Sequence, residues 1–378
     1  MENEIEKLVR EEIKRIAPYV PGKPIDELKR VYNLEKIIKL ASNENPCGCS
    51  PRVKEVLKEN IDNINRYPDG SGYYLKKALS EFLKVKEDEI IIGSGSSEVI
   101  SLTIESFVKP GEEVIYPFPS FIIYRILVLK VGGIPIEIPL ENDFSYNLDK
   151  FLEKITPKTK VIILCNPNNP TGTIVYKEQL KKFLEKIPDN IIVISDEAYF
   201  EYVETSDFGT CFPYYKDKNI VITRSFSKIY GLASLRIGYG IGRSEILNYM
   251  ERIRPPFNTT ELAQIAAITA LKDQDFVKHS IEVNKEGKRF LYENFEKLGI
   301  EYTPTEANFI LCKFKQDATG IIKELERKGI IIRGMKSFNL SNQYVRITIG
   351  TEQENKLLIE ELSKLHLVGV SGRLRIVK

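Results

Sequence analysis

The chain has 378 residues, 42% hydrophobic and 29% charged, and its 55 Lys and Arg against 53 Asp and Glu leave a formal charge of +2. A balance so near neutral gives no general pull toward nucleic acid or an anionic membrane surface. The longest apolar runs, such as VIILC (161–165) and IIVIS (191–195), are far too short to span a bilayer.

The N-terminal stretch MENEIEKLVREEIKRI (1–16) is charged, helical in pattern and without an apolar signal-peptide core, so a cytoplasmic protein is expected. From about residue 89 short Ile- and Val-rich runs alternate with helical segments. The predicted strands cover 89–93, 113–117, 134–138, 160–165, 190–195, 219–224 and 236–241, with helices over 96–107, 120–131, 177–186 and 244–253. Apolar strands alternating with helices predict an α/β fold with a mostly parallel seven-stranded sheet, both of its faces covered. Ligands of such sheets gather at the carboxyl ends of the strands. RPPFN (254–258) is a breaker-rich joint. Beyond it the pattern predicts one long helix over 259–298 ending at Gly299, a strand NFILCKF (308–314), a helix over 317–328, strands GIIIR (329–333) and YVRITIG (344–350), and a helix over 352–365. The predicted organisation is an N-terminal arm (1–40) packing with the small domain, a large domain (41–258) and a smaller α+β domain (259–378). The tail VGVSGRLRIVK (368–378) is basic and reads as a solvated or docked terminus.

The five cysteines are odd in number and scattered, which predicts reduced thiols. Cys47 and Cys49 form C-x-C with no second pair nearby, and His279 and His366 are the only histidines. Neither a metal centre nor a Ser-His-Asp triad is expected. The chemistry then falls to Lys, Arg, Asp and Tyr.

Four motifs end predicted strands. GSGSSE (93–98) opens a helix, and the free N–H groups of such a terminus suit a phosphate, although taken alone the motif fits a simply capped helix better. A dinucleotide fingerprint fits poorly, because Glu98 stands where the third glycine is required and Glu112 and Glu113 precede the next strand. NPNNPTG (166–172) is either a rigid turn or a turn presenting an amide to a ligand. SDEAY (195–199) puts Asp196 and Glu197 at the end of an apolar strand, where a carboxylate is costly unless paired or capping a helix. SFSKIYGLASLRIGY (225–239) sets Ser225, Ser227, Lys228 and Arg236 close together. Two hydroxyls and a planar guanidinium suit one phosphate, and a lysine beside it suits a phosphorylated aldehyde held as a Schiff base, which is pyridoxal-phosphate chemistry.

In that order NPNNPTG, DEAY and SFSKIYGLASLRIGY resemble the fold-type I pyridoxal-phosphate aminotransferases. Together with YVPGKPIDELKR (19–30), LASNENP (40–46), RYPDG (66–70), RPPFN, EANFIL (306–311) and YVRITIG, the whole chain is similar to the histidinol-phosphate aminotransferase family. The resemblance implies a fold-type I α/β enzyme that uses pyridoxal 5'-phosphate to exchange an amino group between histidinol phosphate and 2-oxoglutarate, giving glutamate, in histidine biosynthesis. Lys228 then resembles the cofactor-bearing lysine and proton carrier, and Asp196 the partner of the ring nitrogen. Tyr199 and Asn169 resemble the donors to the ring oxygen, and Phe121 the aromatic stacked on the ring, or else core packing. Gly95, Ser96, Ser97, Ser225, Ser227 and Arg236 resemble the phosphate cup. Tyr67 resembles a tyrosine reaching the phosphate from a neighbouring subunit, which implies a homodimer. Arg346 resembles the substrate-anion anchor, Arg333 a second phosphate-binding arginine or a surface ion pair, and Asn45 a further substrate-binding residue.

Two positions depart from the family pattern. Cys47 replaces a tyrosine that helps to bind the substrate phosphate, and Ser97 replaces an aspartate in the cofactor loop. Aromatic or broad-specificity aminotransfer and decarboxylation of a phospho-amino acid such as threonine phosphate therefore stay open on this scaffold, as does, from a different class, a dinucleotide-dependent oxidoreductase.

Overall fold

The structure, a computed structural model, describes residues 4–18 and 25–370. Residues 371–378 of the basic tail and 19–24 of the first family motif lie outside the described residues. Among the described residues no helix is long and apolar enough to cross a membrane.

The main sheet has seven strands in the spatial order Ile90–Gly93, Gly238–Gly242, Ile220–Ser225, Ile192–Asp196, Thr159–Cys165, Glu113–Phe118 and Ile134–Pro139. All pairings are parallel except those of Gly238–Gly242, which runs antiparallel to both neighbours. Alternate residues enter opposite cores. Ile162, Leu164, Val193, Ile220 and Ile222 join one apolar cluster, while Val161, Ile163, Ile192, Ile194 and Val221 join the other. That period of two explains why these strands read as continuous apolar runs: both faces are buried. The predicted helices 96–107 and 177–186 have those bounds.

Beyond the joint a four-stranded antiparallel sheet is ordered Arg333–Gly334, Tyr344–Thr348, Phe309–Lys313 and Glu301–Thr303. Its apolar cluster is closed by Gln274–Leu298 and Glu352–Val370. Three expectations are corrected. The helix predicted over 259–298 is two, Glu261–Lys272 and Gln274–Leu298, because Asp273 caps the second by accepting the Phe276 N–H and also takes the Ser50 hydroxyl. The strand predicted over 329–333 is two fragments in different sheets. Ile330–Ile331 pairs in parallel with Ile38–Lys39, and Arg333–Gly334 joins the four-stranded sheet. The arm is also divided: Ile38–Lys39 joins the C-terminal part, whereas Glu11–Lys14 lies against Ile123–Lys130 and Arg10 Nη2 donates to the Lys130 carbonyl.

Candidate active site

The carboxyl ends of Ile192–Asp196 and Ile220–Ser225 open into a cavity of about 240 Å³, closed on its far side by Ala41–Glu44 and by Arg333, Phe338 and Arg346. Twelve of the residues singled out from the sequence line it: Ser96, Ser97, Phe121, Asn169, Asp196, Tyr199, Ser225, Ser227, Lys228, Arg236, Arg333 and Arg346.

Ser227 N–H donates to Ser225 Oγ at 3.0 Å, and Arg236 Nη1 donates to Ser227 Oγ at 3.3 Å and to the Ala233 carbonyl at 3.0 Å. Gly95 caps the helix Ser96–Phe107 at φ +82°, and a Cβ there would stand 2.6 Å from Arg236 Nη2. Only glycine lets the helix terminus come this near the guanidinium. The result is a cradle of helix N–H groups, two hydroxyls and one guanidinium, a donor set suited to a phosphate. Glu98 turns back to accept the Ser94 N–H at 2.6 Å and also accepts from Asn258. The dinucleotide reading fails on topology as well. Ile90–Gly93 has only an antiparallel neighbour, and the next strand in sequence lies across the sheet, so no βαβ unit surrounds the loop.

Asp196 is buried between Cys165 and Thr223 in the sheet register. Its side-chain donors are neutral hydroxyls: Tyr124 Oη at 2.6 Å and Thr223 Oγ1 at 3.1 Å. Burial pushes its carboxyl above the usual carboxylate range, against the opposing effect of those two bonds. A carboxylate held this way at a cavity wall suits a cationic ligand group. Glu197, next in the chain, is fully buried and served differently. It accepts from Arg224 Nη2 at 2.8 Å, Thr210 Oγ1 at 2.8 Å and the Cys211 N–H at 3.0 Å. The two carboxylates of SDEAY thus divide into a cavity wall and a structural ion pair.

Lys228 Nζ lies 5.4 Å from the Tyr199 ring centroid and donates to the Ser42 carbonyl at 3.5 Å. Burial, reinforced by Arg346 and Arg236 and opposed by Glu44 and Asp196, pushes its amine down to about 8. An amine this near neutral pH can act as a nucleophile and as a proton carrier. The turn after it needs glycine: Gly231 has φ +70°, and a Cβ would stand 1.8 Å from the Gly48 carbonyl oxygen.

NPNNPTG forms a turn whose asparagines are held by bonds, and one of its amides faces the cavity. Asn166 is spent on the Gly209 carbonyl and the Val175 N–H, and Asn168 on the Pro119 carbonyl and the Ser120 and Thr171 hydroxyls. Asn169 alone of the three lines the cavity, where its Oδ1 accepts from Arg346 Nη1. Arg346 also donates to the Ala41 carbonyl at 2.9 Å. Arg333 is its register partner on the neighbouring antiparallel strand, so both side chains emerge on one face of the small sheet and line the same cavity.

Three predicted residues lie elsewhere. Asn45, expected among the substrate-binding residues, is not one of the residues lining the cavity. Its Nδ2 donates to the Ile229 carbonyl at 2.7 Å and to Ser280 Oγ at 3.0 Å, and its Oδ1 accepts the Cys47 N–H at 2.9 Å. Gly95 backs the cradle without lining the cavity. Tyr67 is 82% exposed and stacks on Phe257 at 4.6 Å, lining a second cavity of about 810 Å³ that shares Arg236 with the first. The sequence reading missed Asn43, Glu44, Tyr124 and Phe338. Asn43 sits two positions from the residue chosen in the same motif, and its φ of +55° decides which of the two faces inward.

The aminotransferase class I and II family model matches residues 35–362. A histidinol-phosphate aminotransferase of Caldicellulosiruptor saccharolyticus is 44% identical over 95% of this chain and 100% of its own length. One of Moorella thermoacetica is 44% identical over 94% and 92%. Among solved structures, the histidinol-phosphate aminotransferase of Clostridium acetobutylicum superposes with a TM-score of 0.81 at 27% identity, over 88% of this chain and 100% of that one. That of Sinorhizobium meliloti in complex with pyridoxal-5'-phosphate has a TM-score of 0.86 at 24% identity, over 95% and 98%, and shows the shared fold.

Proposed function

The chain belongs to the aminotransferase class I and II family, and from that premise we propose that it is a pyridoxal-phosphate-dependent histidinol-phosphate aminotransferase of histidine biosynthesis, with 2-oxoglutarate and glutamate as the second substrate pair. The observation that carries the substrate is the cross-strand pair of Arg333 and Arg346 on one wall of the cavity that holds Lys228. Like charges directly opposite in a sheet repel, so the pair is favoured by a ligand that brings two negative charges. A phosphate dianion does so, and the carboxylates of glutamate meet the same charges in the other half of the reaction.

The residues fit the cofactor by the chemistry of their donors. Bound there, pyridoxal phosphate supplies a carbonyl for the substrate amine and a ring that withdraws electrons from its Cα. Gly95, Ser96, Ser97, Ser225, Ser227 and Arg236 would hold its phosphate. Asp196 would pair with the ring nitrogen and keep a proton there, Tyr199 and Asn169 would donate to the ring oxygen, and Phe121 would pack against the ring. Lys228 would hold the cofactor, and its amine, depressed toward neutrality by burial, would take the proton from the substrate Cα and return it. Arg333 and Arg346 orient the substrate by its anion.

The same reading places Tyr67 against the partner's cofactor phosphate in a homodimer, which accounts for a tyrosine left exposed beside Arg236. It divides the chain into an arm (1–40), a large cofactor-binding domain (41–258) and a small domain (259–378) that carries both arginines, and it goes with a cytoplasmic location. The test uses the purified protein with histidinol phosphate and 2-oxoglutarate. Glutamate should form, and borohydride should lock the cofactor onto the peptide containing Lys228. No glutamate, or the label on another lysine, contradicts the assignment. Full activity of a strict monomer in sedimentation at assay concentration contradicts the role of Tyr67.

A further inference from the structure

Asn43 is buried to 1% exposure in the left-handed region, at φ +55°, a conformation that Asn tolerates far better than most residues. Three bonds hold it there. Its N–H donates to Thr348 Oγ1 at 2.9 Å, its carbonyl accepts from Asn308 Nδ2 at 3.0 Å, and its Oδ1 accepts from Thr348 Oγ1 at 3.3 Å. Its Nδ2 then donates to Tyr199 Oη at 3.0 Å.

The direction of each proton follows from the inventory of donors. Thr348 Oγ1 accepts the Asn43 N–H, so its single proton goes to Asn43 Oδ1. That contact fixes the amide with its oxygen toward Thr348 and its NH₂ toward Tyr199. Tyr199 Oη accepts from the NH₂, which leaves its own proton free on the side of the cavity that Tyr199 lines. Tyr199 is buried, and burial holds its hydroxyl well above the ordinary tyrosine range, so the proton stays on the oxygen.

We propose that Asn43 is a positioning residue: relayed from Thr348, it forces the Tyr199 hydroxyl to donate into the cavity rather than accept there. The inference rests on the reading of Tyr199 as a donor to the ring oxygen of the cofactor, and adds the residue that sets the direction of that bond. It also ties the Tyr199 side of the site to the strand that carries Arg346, because Thr348 lies two residues beyond that arginine on Tyr344–Thr348.

The test is the pH midpoint of the visible absorption change of the holoenzyme. A hydrogen bond donated to the ring oxygen favours its deprotonated form, so losing the bond raises the midpoint. Tyr199→Phe should raise it by about one to two pH units, the value of one hydrogen bond to a charged group. Asn43→Gly, which keeps the positive φ without strain, should raise it by roughly half as much, and Thr348→Val by less. In the Tyr199→Phe background Asn43→Gly should add nothing, because its effect passes through the hydroxyl. The charged and titratable groups that face Tyr199 are Arg346, Lys228, Asp196, Cys165 and Tyr202, and none is altered by these variants. If Asn43→Gly does not fold, the isosteric Asn43→Asp accepts the Tyr199 proton and should also raise the midpoint, with its own charge effect measured in the Tyr199→Phe background. An unchanged midpoint in Asn43→Gly, or a shift that adds in full to that of Tyr199→Phe, overturns the proposal while the reading of Tyr199 stands. An unchanged midpoint in Tyr199→Phe overturns both.

Discussion

At the Asp196–Lys228 end of the cavity the polar side chains come from strand ends and first turns of the seven-stranded sheet, and Asp196 is held by neutral hydroxyls. At the other end Arg333 and Arg346 face one another across a smaller antiparallel sheet. At the first end Asp196 is bonded by Thr223 of its own sheet and by Tyr124 of the helix Ile123–Lys130, and Lys228 and Tyr199 reach across to Ser42 and Asn43. The second is assembled from segments some three hundred residues apart: the Ala41 carbonyl, Asn169 and Arg346 meet there. The difference teaches where reaction and substrate choice reside. On the proposed reading the strand-end site carries the chemistry, while the two like charges on a separate sheet select the substrate. Asp196 and Glu197 show the same division within two residues, one carboxylate open to the cavity and the other closed in an ion pair.

The largest expected effect breaks the first end. Lys228→Ala should lower kcat by at least about 10²–10⁴-fold, the range for removing a general acid–base group, and cofactor should still bind through the Ser225–Arg236 cradle. Steady-state rates and equilibrium dialysis of the cofactor check this together. Next in size is the structural carboxylate. Arg224→Met leaves Glu197 buried without its cation and should destabilise the fold by about 3–5 kcal/mol, read by denaturant unfolding. Asp196→Asn should instead spare stability and reduce turnover. If the two variants exchange these outcomes, the division between the carboxylates is wrong.

A smaller effect concerns protons. The amine of Lys228 lies near 8 in the folded chain, against an ordinary 10.5. Between those values the folded protein binds fewer protons than the unfolded one, so stability rises with pH across that window. Below about pH 8 burial of the charged lysine is a constant cost. Capture of cofactor by the cofactor-free protein needs the neutral amine, so its rate should climb with pH and level off above about 8. Stopped-flow absorbance follows this, and a flat profile from pH 6 to 9 contradicts the depressed amine. The smallest effect concerns Cys47, a half-buried residue outside the cavity lining, at the position where the family pattern implies a phosphate-binding tyrosine. Cys47→Tyr should strengthen the hold on histidinol phosphate by about threefold to tenfold, the value of one net hydrogen bond.

Much of the first end was legible because parallel strands buried on both faces announce themselves as apolar runs, and polar residues that end such runs, Asp196 and Ser225 among them, then stand out. The second end was less legible. Arg333 and Arg346 could be named, but their register pairing depends on how GIIIR breaks, and a two-residue strand carries no period to read. Asn43 and Asn45 are chemically identical in the sequence. A positive φ at Asn43 turns one inward, while the Ile229 carbonyl and Ser280 hold the other. Tyr124 reads as an ordinary apolar-face helix residue, and its bond to Asp196 spans 72 positions. Contacts of that range are set by packing, which local pattern does not encode.

The comparison between the two ends is tested most directly by the ratio of kcat/KM for histidinol phosphate to that for phenylalanine, with 2-oxoglutarate as acceptor, in the wild type and in Arg333→Ala. The wild type should favour histidinol phosphate. Arg333→Ala should cut that ratio by about 10–100-fold, the loss of one charge-assisted bond, with phenylalanine nearly unaffected because its single carboxylate needs only Arg346. A wild type that prefers phenylalanine, with a ranking that Arg333→Ala leaves unchanged, would contradict the account of the second end and leave the aminotransferase chemistry of the first intact.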